Sequence, residues 1–174
     1  GGCTTGALSH GKMIDMFNGL DGDGAFAPTR SGAVPVGDLI RLCYSGKYAT
    51  VDEMMKRAVG DAGIAAYLGT ADMREVNKMI ENGDENAKLV KEAFIYQHAK
   101  DIGSLSVVMK GKVDAILLTG GIAYGKDITD AIASYTEWIA PVVVIPGERE
   151  MIALAQGALR VLNGEEEAKE YEAW

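Results

Sequence analysis

Two short apolar runs in the second half of the chain constrain the fold most. Residues 113–119 (VDAILLT) and 142–145 (VVVI) are each bounded by turn residues. They are too short for helices and lack polar alternation, so they read as strands buried on both faces. Gly120-Gly121 and Pro146-Gly147 follow them. A helical pattern follows each turn, over about 127–137 and over 150–162, where Asn163-Gly164 ends it. Strand-helix-strand-helix at this spacing demands a parallel sheet with right-handed crossovers. The expected fold class is therefore α/β.

The rest of the chain must pack on that unit. Residues 7–17 (ALSHGKMIDMF) read as a hairpin turned at His10-Gly11. Residues 36–45 fit a helix with Leu39, Ile40, Leu42 and Cys43 inward and Gly46 just beyond. Thr50-Val51-Asp52-Glu53 is a capping box for a helix over about 51–59. Residues 62–70 (AGIAAYLGT) read as a packed connection, and Asp72 to Glu75 as the start of a helix ending at Asn82-Gly83. Asp84 opens the longest helix, to about Met109, with Leu89, Ala93 and Tyr96 on one stripe and Val90 and Phe94 beside it. Gly103, Ser104 and Ser106 in its last third suggest a close crossing, because an interior glycine is costly without a packing reason. One domain over 1–164 and an acidic, solvated tail over 165–174 are expected.

Between hairpin and first helix lies a stretch with no period, 15–38 (DMFNGLDGDGAFAPTRSGAVPVGD). A loop this long in a compact domain carries function or is disordered. Phe17, Leu20, Phe26, Val34 and Val36 call for burial, which argues against disorder. Arg30 is its single cation, among Asp15, Asp21, Asp23 and Asp38. Arginine suits the spread charge of a phosphoryl group in transfer. Glycine turns that could face phosphate oxygens with backbone N–H groups stand at Gly1-Gly2 and, beyond a strand end, at Gly120-Gly121-Ile122-Ala123.

Composition removes some classes. A net charge of -8 argues against non-specific nucleic-acid binding. It leaves anionic substrates open, since one arginine or a metal can reverse the sign of a cleft. No apolar run approaches the roughly 18 residues of a membrane span, and no signal peptide is expected. Cys3 and Cys43 form no disulfide framework and read as small buried groups in a reducing cytosol. The opening Gly1-Gly2-Cys3 has no initiator methionine, so the chain is expected to be processed or a segment of something longer.

Three tempting motifs fail on inspection. Gly120 to Lys126 has the G-x-x-x-x-G-K spacing of a phosphate loop, but Asp127 stands where Ser or Thr would hold magnesium. Asp21-Gly22-Asp23-Gly24 starts like a calcium loop, yet Gly32 occupies the twelfth position, where glutamate is needed. His10 and His98 have no Ser or Cys placed for activation.

Taken together, these segments resemble the C-terminal half of the acetate and butyrate kinase family, in the actin-like ATPase superfamily. Gly1-Gly2 is similar to the end of the family's His-Leu-Gly-Gly-Gly phosphate motif. Residues 15–38 resemble its Asp…Thr-Arg-Ser-Gly segment. LTGGIAYGK from Leu118 is similar to its adenosine motif, and PGEREMIALAQGALRVL from Pro146 to its C-terminal magnesium-site helix.

The resemblance implies a ribonuclease H-like (actin-like ATPase) domain: a mixed sheet with an N-terminal hairpin, a C-terminal parallel βαβα unit and helices on both faces. It implies a cytoplasmic kinase that uses ATP/ADP and Mg2+ to phosphorylate a short-chain carboxylate, reversibly to an acyl phosphate, and a homo-oligomer. Arg30 would be the catalytic arginine, with Asp15 helping to orient it. Gly1, Gly2, Gly120, Gly121, Ile122 and Ala123 would bind the nucleotide. Glu150 would be the magnesium-linked acid, with Glu148 the alternative. The family's N-terminal half has no counterpart here, nor does the strand that runs into the glycine motif. That strand is central to the family's sheet. Its absence should leave two neighbouring strands with unpaired edges and a gap in the core. The N-terminal half of the same enzyme is thus an expected partner, and the chain alone is expected neither to be a stable monomer nor to phosphorylate butyrate. The rival readings are an acetate, propionate or branched-chain acid kinase of the same family and a non-catalytic nucleotide-binding remnant.

Overall fold

The computed structural model describes residues 2–170. Its first element is an antiparallel hairpin, β1 (Gly6–Ser9) and β2 (Lys12–Met16). His10 and Gly11, both at positive φ, make its turn. After the long loop come α1 (Val36–Cys43), α2 (Val51–Ala58), α3 (Gly63–Leu68), α4 (Met73–Glu81) and α5 (Glu85–Ser106). Then β3 (Ile116–Gly120), a 3-10 turn (Gly121–Tyr124) and α6 (Lys126–Thr136) lead to β4 (Val142–Pro146) and α7 (Glu150–Leu162). The α/β class and the parallel βαβα unit are as the apolar runs demanded: β3 and β4 pair in parallel, Ile116 opposite Val142.

Caps set the helices where the sequence put them. Thr50 accepts from Glu53 N–H, Asp72 from Arg74 N–H and Asp84 from Ala87 N–H. The connection expected over 62–70 instead contains α3, ended by Gly69 at φ 75. Its short apolar run is long enough for one and a half turns, which periodicity alone could not separate from a packed loop.

The core lies around α5. Val90, Phe94 and Ile95 meet Phe26 from the long loop, Ile64, Val76, and Ile128 and Ile132 of α6. The expected Leu89/Tyr96 stripe is wrong: both are exposed, and the neighbouring Val90/Phe94 face is the buried one. The close crossing expected at Gly103 is also absent, since a Cβ there would meet open space within 4 Å. On α1, Leu39, Ile40 and Cys43 are exposed rather than inward. Cys3 is half-buried and Cys43 exposed, so only one of the two thiols approaches the buried state expected of both.

The sheet departs most from a complete α/β core. The hairpin and the β3–β4 pair are separate two-stranded sheets. Neither β3 nor β4 is buried on both faces: Ile116 is buried, but Leu117 and Thr119 are exposed, as are Val143 to Ile145. Between β1 and β3 lies a cavity of about 770 Å3, floored by Phe94, His98 and Leu105. That is the gap expected where a central strand is wanting. Among the described residues no helix is long and apolar enough to cross a membrane. The acidic tail is exposed through Glu170, and 171–174 lie outside the described residues.

Candidate active site

The cavity between β1 and β3 gathers most of the residues marked by the sequence. Gly2 and the residues running into β1 line one wall, and Gly120, Gly121, Ile122 and Ala123 the other. Glu148, Arg149 and Glu150 also border it. Gly1 lies outside the described residues.

Backbone geometry explains how the two turns come together. Gly120 sits at φ 82, ψ -178, a conformation essentially restricted to glycine. It lets the chain leave β3 and enter the 3-10 turn at once. Gly120 and Gly147 exchange both N–H···O bonds, at 3.1 and 3.0 Å. Thr119 Oγ1 donates a third, at 3.3 Å, to Gly147 O. The turn after β4 is thereby pinned to the turn after β3, which carries the 148–150 carboxylates to the same mouth. Both carboxylates are exposed, and Glu150 is the first residue of α7. Among the described residues no cluster of three or more metal-ligating side chains exists. A lone carboxylate or pair fits magnesium as phosphate-rich sites hold it, through one or two acids, waters and substrate oxygens.

Arg30 does not line the cavity wall itself. It is half-buried, and its guanidinium packs on Gly2, where a Cβ would come within 2.8 Å of Nε. A larger residue there would push the guanidinium aside. Arg30 Nη1 donates to Gly19 O at 3.3 Å. Among the described residues no carboxylate pairs with it. The expected contact with Asp15 is not made: that carboxylate accepts from Met16 N–H at 2.8 Å. Among the described residues its side chain thus has one weak neutral acceptor, which leaves it donor capacity for an anion.

The decoy carboxylates have local employment. Asp21 and Asp23 brace a turn around Asn18, accepting from its Nδ2 at 3.0 Å and its N–H at 3.1 Å. Asp127 bonds Lys91 Nζ and accepts from Asn77 Nδ2 at 3.2 Å, while Lys91 Nζ also donates to Asn77 Oδ1 at 2.7 Å. This link ties α4 and α5 to the first turn of α6, directly after the glycine turn. Burial would raise the Asp127 carboxyl, but the hydrogen bond and charge of Lys91 outweigh it and hold it below the usual carboxylate range. His98 is buried with Nδ1 on Phe94 O at 2.9 Å, and burial lowers its pKa, so it packs as a neutral ring. Burial pushes the Cys3 thiol up to about 11, so it is not a nucleophile.

Sequence reasoning missed four features: the Gly2–Arg30 contact, the Gly120–Gly147 bridge, the Lys91–Asp127–Asn77 link, and the two bonds that α5 gives the long loop. In those last two, Ala25 N–H donates to Asp101 Oδ2 at 2.7 Å and Phe26 N–H to Gln97 Oε1 at 3.3 Å. The one available signal was the i, i+4 spacing of Gln97 and Asp101 on the buried side of a long helix.

Comparison with known proteins agrees with this architecture. A sequence model described as the acetokinase family matches residues 1–137. The chain is 55% identical over 171 residues to butyrate kinase 2 of Clostridium acetobutylicum, covering 98% of this chain and 48% of that one. It is 52% identical, with the same coverage, to a probable butyrate kinase of Clostridium botulinum. The chain thus spans about half the length of the curated relatives it matches. Its fold is similar to a crystal structure of Porphyromonas gingivalis acetate kinase, with a TM-score of 0.81 at 22% identity over 91% of this chain and 46% of that one. A Francisella tularensis propionate kinase matches with a TM-score of 0.74 and 28% identity, over 87% of this chain and 45% of that one. The actin-like α/β fold expected from the motifs is the fold of these neighbours, and the chain belongs to the acetokinase family.

Proposed function

We propose that this chain is the C-terminal half of a butyrate kinase-type enzyme, which transfers a phosphoryl group between ATP and a short-chain carboxylate to give an acyl phosphate and ADP. The observation that carries the reading is the guanidinium of Arg30, without a carboxylate partner among the described residues, held on Gly2 at the edge of the cavity shared with the Gly120–Gly121 turn. Phosphoryl transfer asks for positioning and charge neutralisation more than for covalent catalysis. Arg30 neutralises the group in flight, and Gly2 presents backbone N–H to its oxygens. Gly120, Gly121, Ile122 and Ala123 form the nucleotide turn. Glu150 or Glu148 would hold magnesium, which would supply further charge neutralisation. Identity above 50% to two butyrate kinases favours butyrate as the acid. Similarity to a propionate kinase keeps a shorter acid as the second reading, because one methylene gives only about 1–3 kcal/mol of discrimination.

The other half of the enzyme supplies what this chain lacks. The facing edges of β1 and β3 and the cavity between them have the form of a missing central strand. The relatives' length supports a preceding half that brings it. The complete enzyme works in the cytoplasm and assembles from more than one copy.

The test is acyl-phosphate formation from ATP and each acid from acetate to pentanoate. The complete enzyme should turn over butyrate best, and the 174-residue chain alone should be inactive. No acyl phosphate from any acid would sink the kinase reading and favour a nucleotide-binding remnant.

A further inference from the structure

The loop that carries Arg30 is fixed on two flanks. On one, the backbone does the work: Ser31 N–H bonds Ala58 O, Gly60 N–H bonds Thr29 O, and Ile64 and Ala65 N–H bond Ala27 and Pro28 O, at 2.8–3.2 Å. On the other, two side chains of α5 do it. Asp101 Oδ2 takes Ala25 N–H at 2.7 Å and Gln97 Oε1 takes Phe26 N–H at 3.3 Å. Both N–H groups belong to buried residues, so each needs an acceptor where it sits. The two acceptors stand one helical turn apart on α5, on the side where the Phe26 ring meets Phe94 edge-on at 5.9 Å. The loop is also closed on itself, by Ala33 N–H on Gly24 O and Ala27 N–H on Arg30 O at 2.8 and 3.0 Å. Moving Ala25 and Phe26 therefore moves Arg30.

We propose that Asp101 and Gln97 are positioning residues for phosphoryl transfer: they seat residues 25–33 on α5 and thereby set the Arg30 guanidinium against Gly2. The proposal rests on the reading of Arg30 given above. It matters because a catalytic group displaced by about 1 Å can cost on the order of a hundredfold in rate, and among the described residues the Arg30 side chain has a single 3.3 Å bond to hold it.

The test is a double-mutant cycle in the complete enzyme, with kcat and the KM for ATP measured separately. Asp101→Ala should lower kcat by about 10- to 100-fold with little change in KM. Asp101→Asn, which keeps an oxygen acceptor, should retain most of the rate. Gln97→Ala should give a smaller loss of the same kind. The decisive arm combines Asp101→Ala with Arg30→Ala: the double variant should be no slower than Arg30→Ala alone, because the anchor acts through the arginine. Losses that multiply would overturn the proposal. If Arg30→Ala collapses turnover while Asp101→Ala and Gln97→Ala do not, the positioning role alone is wrong. If Arg30→Ala turns over normally, the reading of Arg30 falls and this proposal with it. Should Asp101→Ala fail to fold, the same cycle run with Gln97→Ala decides.

Discussion

Two helices in this chain are rich in apolar residues, and they fare oppositely. Helix α5 buries Ala87, Val90, Phe94, Ile95, His98, Ala99 and Leu105, and seats the Arg30 loop. Helix α7 buries nothing, although Met151, Ile152, Leu154, Leu159 and Leu162 run along it. Composition alone would have made both core helices. The difference is what surrounds them. Around α5 the loop, α3, α4 and α6 converge, whereas no described element packs on α7 closely enough to bury any of its residues. An apolar face of this size without cover marks an interaction surface. Under the function proposed above, it joins the open edges of β1 and β3 as a surface for the other half of the enzyme.

The comparison breaks most visibly if α5 proves dispensable. Phe94 is 1% exposed, edge-on to Phe26 and tilted against His98 with ring centroids 4.2 Å apart. Phe94→Ala should cost about 3–5 kcal/mol of stability in the complete enzyme, read by urea or thermal unfolding. A cost below about 1 kcal/mol would mean that the core does not pivot on α5.

A smaller effect tests how α5 is tied to the glycine turn. Lys91 is largely buried while Asp127 is 43% exposed, so their link is partly screened. Asp127→Asn should cost about 1–2 kcal/mol at pH 7, less than a fully buried pair would. The sign of the pH dependence follows from the lowered folded-state pKa. The folded protein binds its proton less tightly than the unfolded chain. The stabilisation is therefore complete above the ordinary value near 3.8 and is lost as pH falls through the lower folded value. The gap between the parent and Asp127→Asn should thus stay flat from pH 8 to about pH 5 and narrow only below about 4. A gap that closed near neutrality would assign the effect to another group.

What the sequence disclosed follows the same division. Caps, turns and strand runs are local signals, so Thr50, Asp72, Asp84 and the apolar runs placed their elements well. Arg30 stands out in the sequence because a lone cation in a structured acidic loop has few structural reasons to exist; its role is the proposal made above. Residue types could not show which face of a helix finds partners. Leu89 and Tyr96 have the right spacing for a core stripe and yet point outward, and the 142–145 strand is as apolar as a buried strand and yet lies open. Gln97 and Asp101 were illegible for a different reason. Their partners are backbone N–H groups more than 70 residues away, which leave no trace in local pattern.

The smallest expected effect in the chain by itself is at α7, and it sharpens the comparison best. A helix of 13 residues without tertiary support is marginal in water. In the chain by itself, the α7 amides should exchange nearly as fast as in an unfolded segment, while those of Phe94 to Ala99 exchange slowest. Leu154→Ser should then change nothing measurable in the chain alone. Added to the complete enzyme, the same substitution should cost about 1–3 kcal/mol, because a leucine buried by a partner is worth about that much. Amide exchange in both forms, with and without the substitution, checks the point. Strong α7 protection in the isolated chain would show that its apolar face already has a partner within these residues. Protection that appears only in the complete enzyme, and weakens with Leu154→Ser, would identify α7 as one of the surfaces on which the two halves meet.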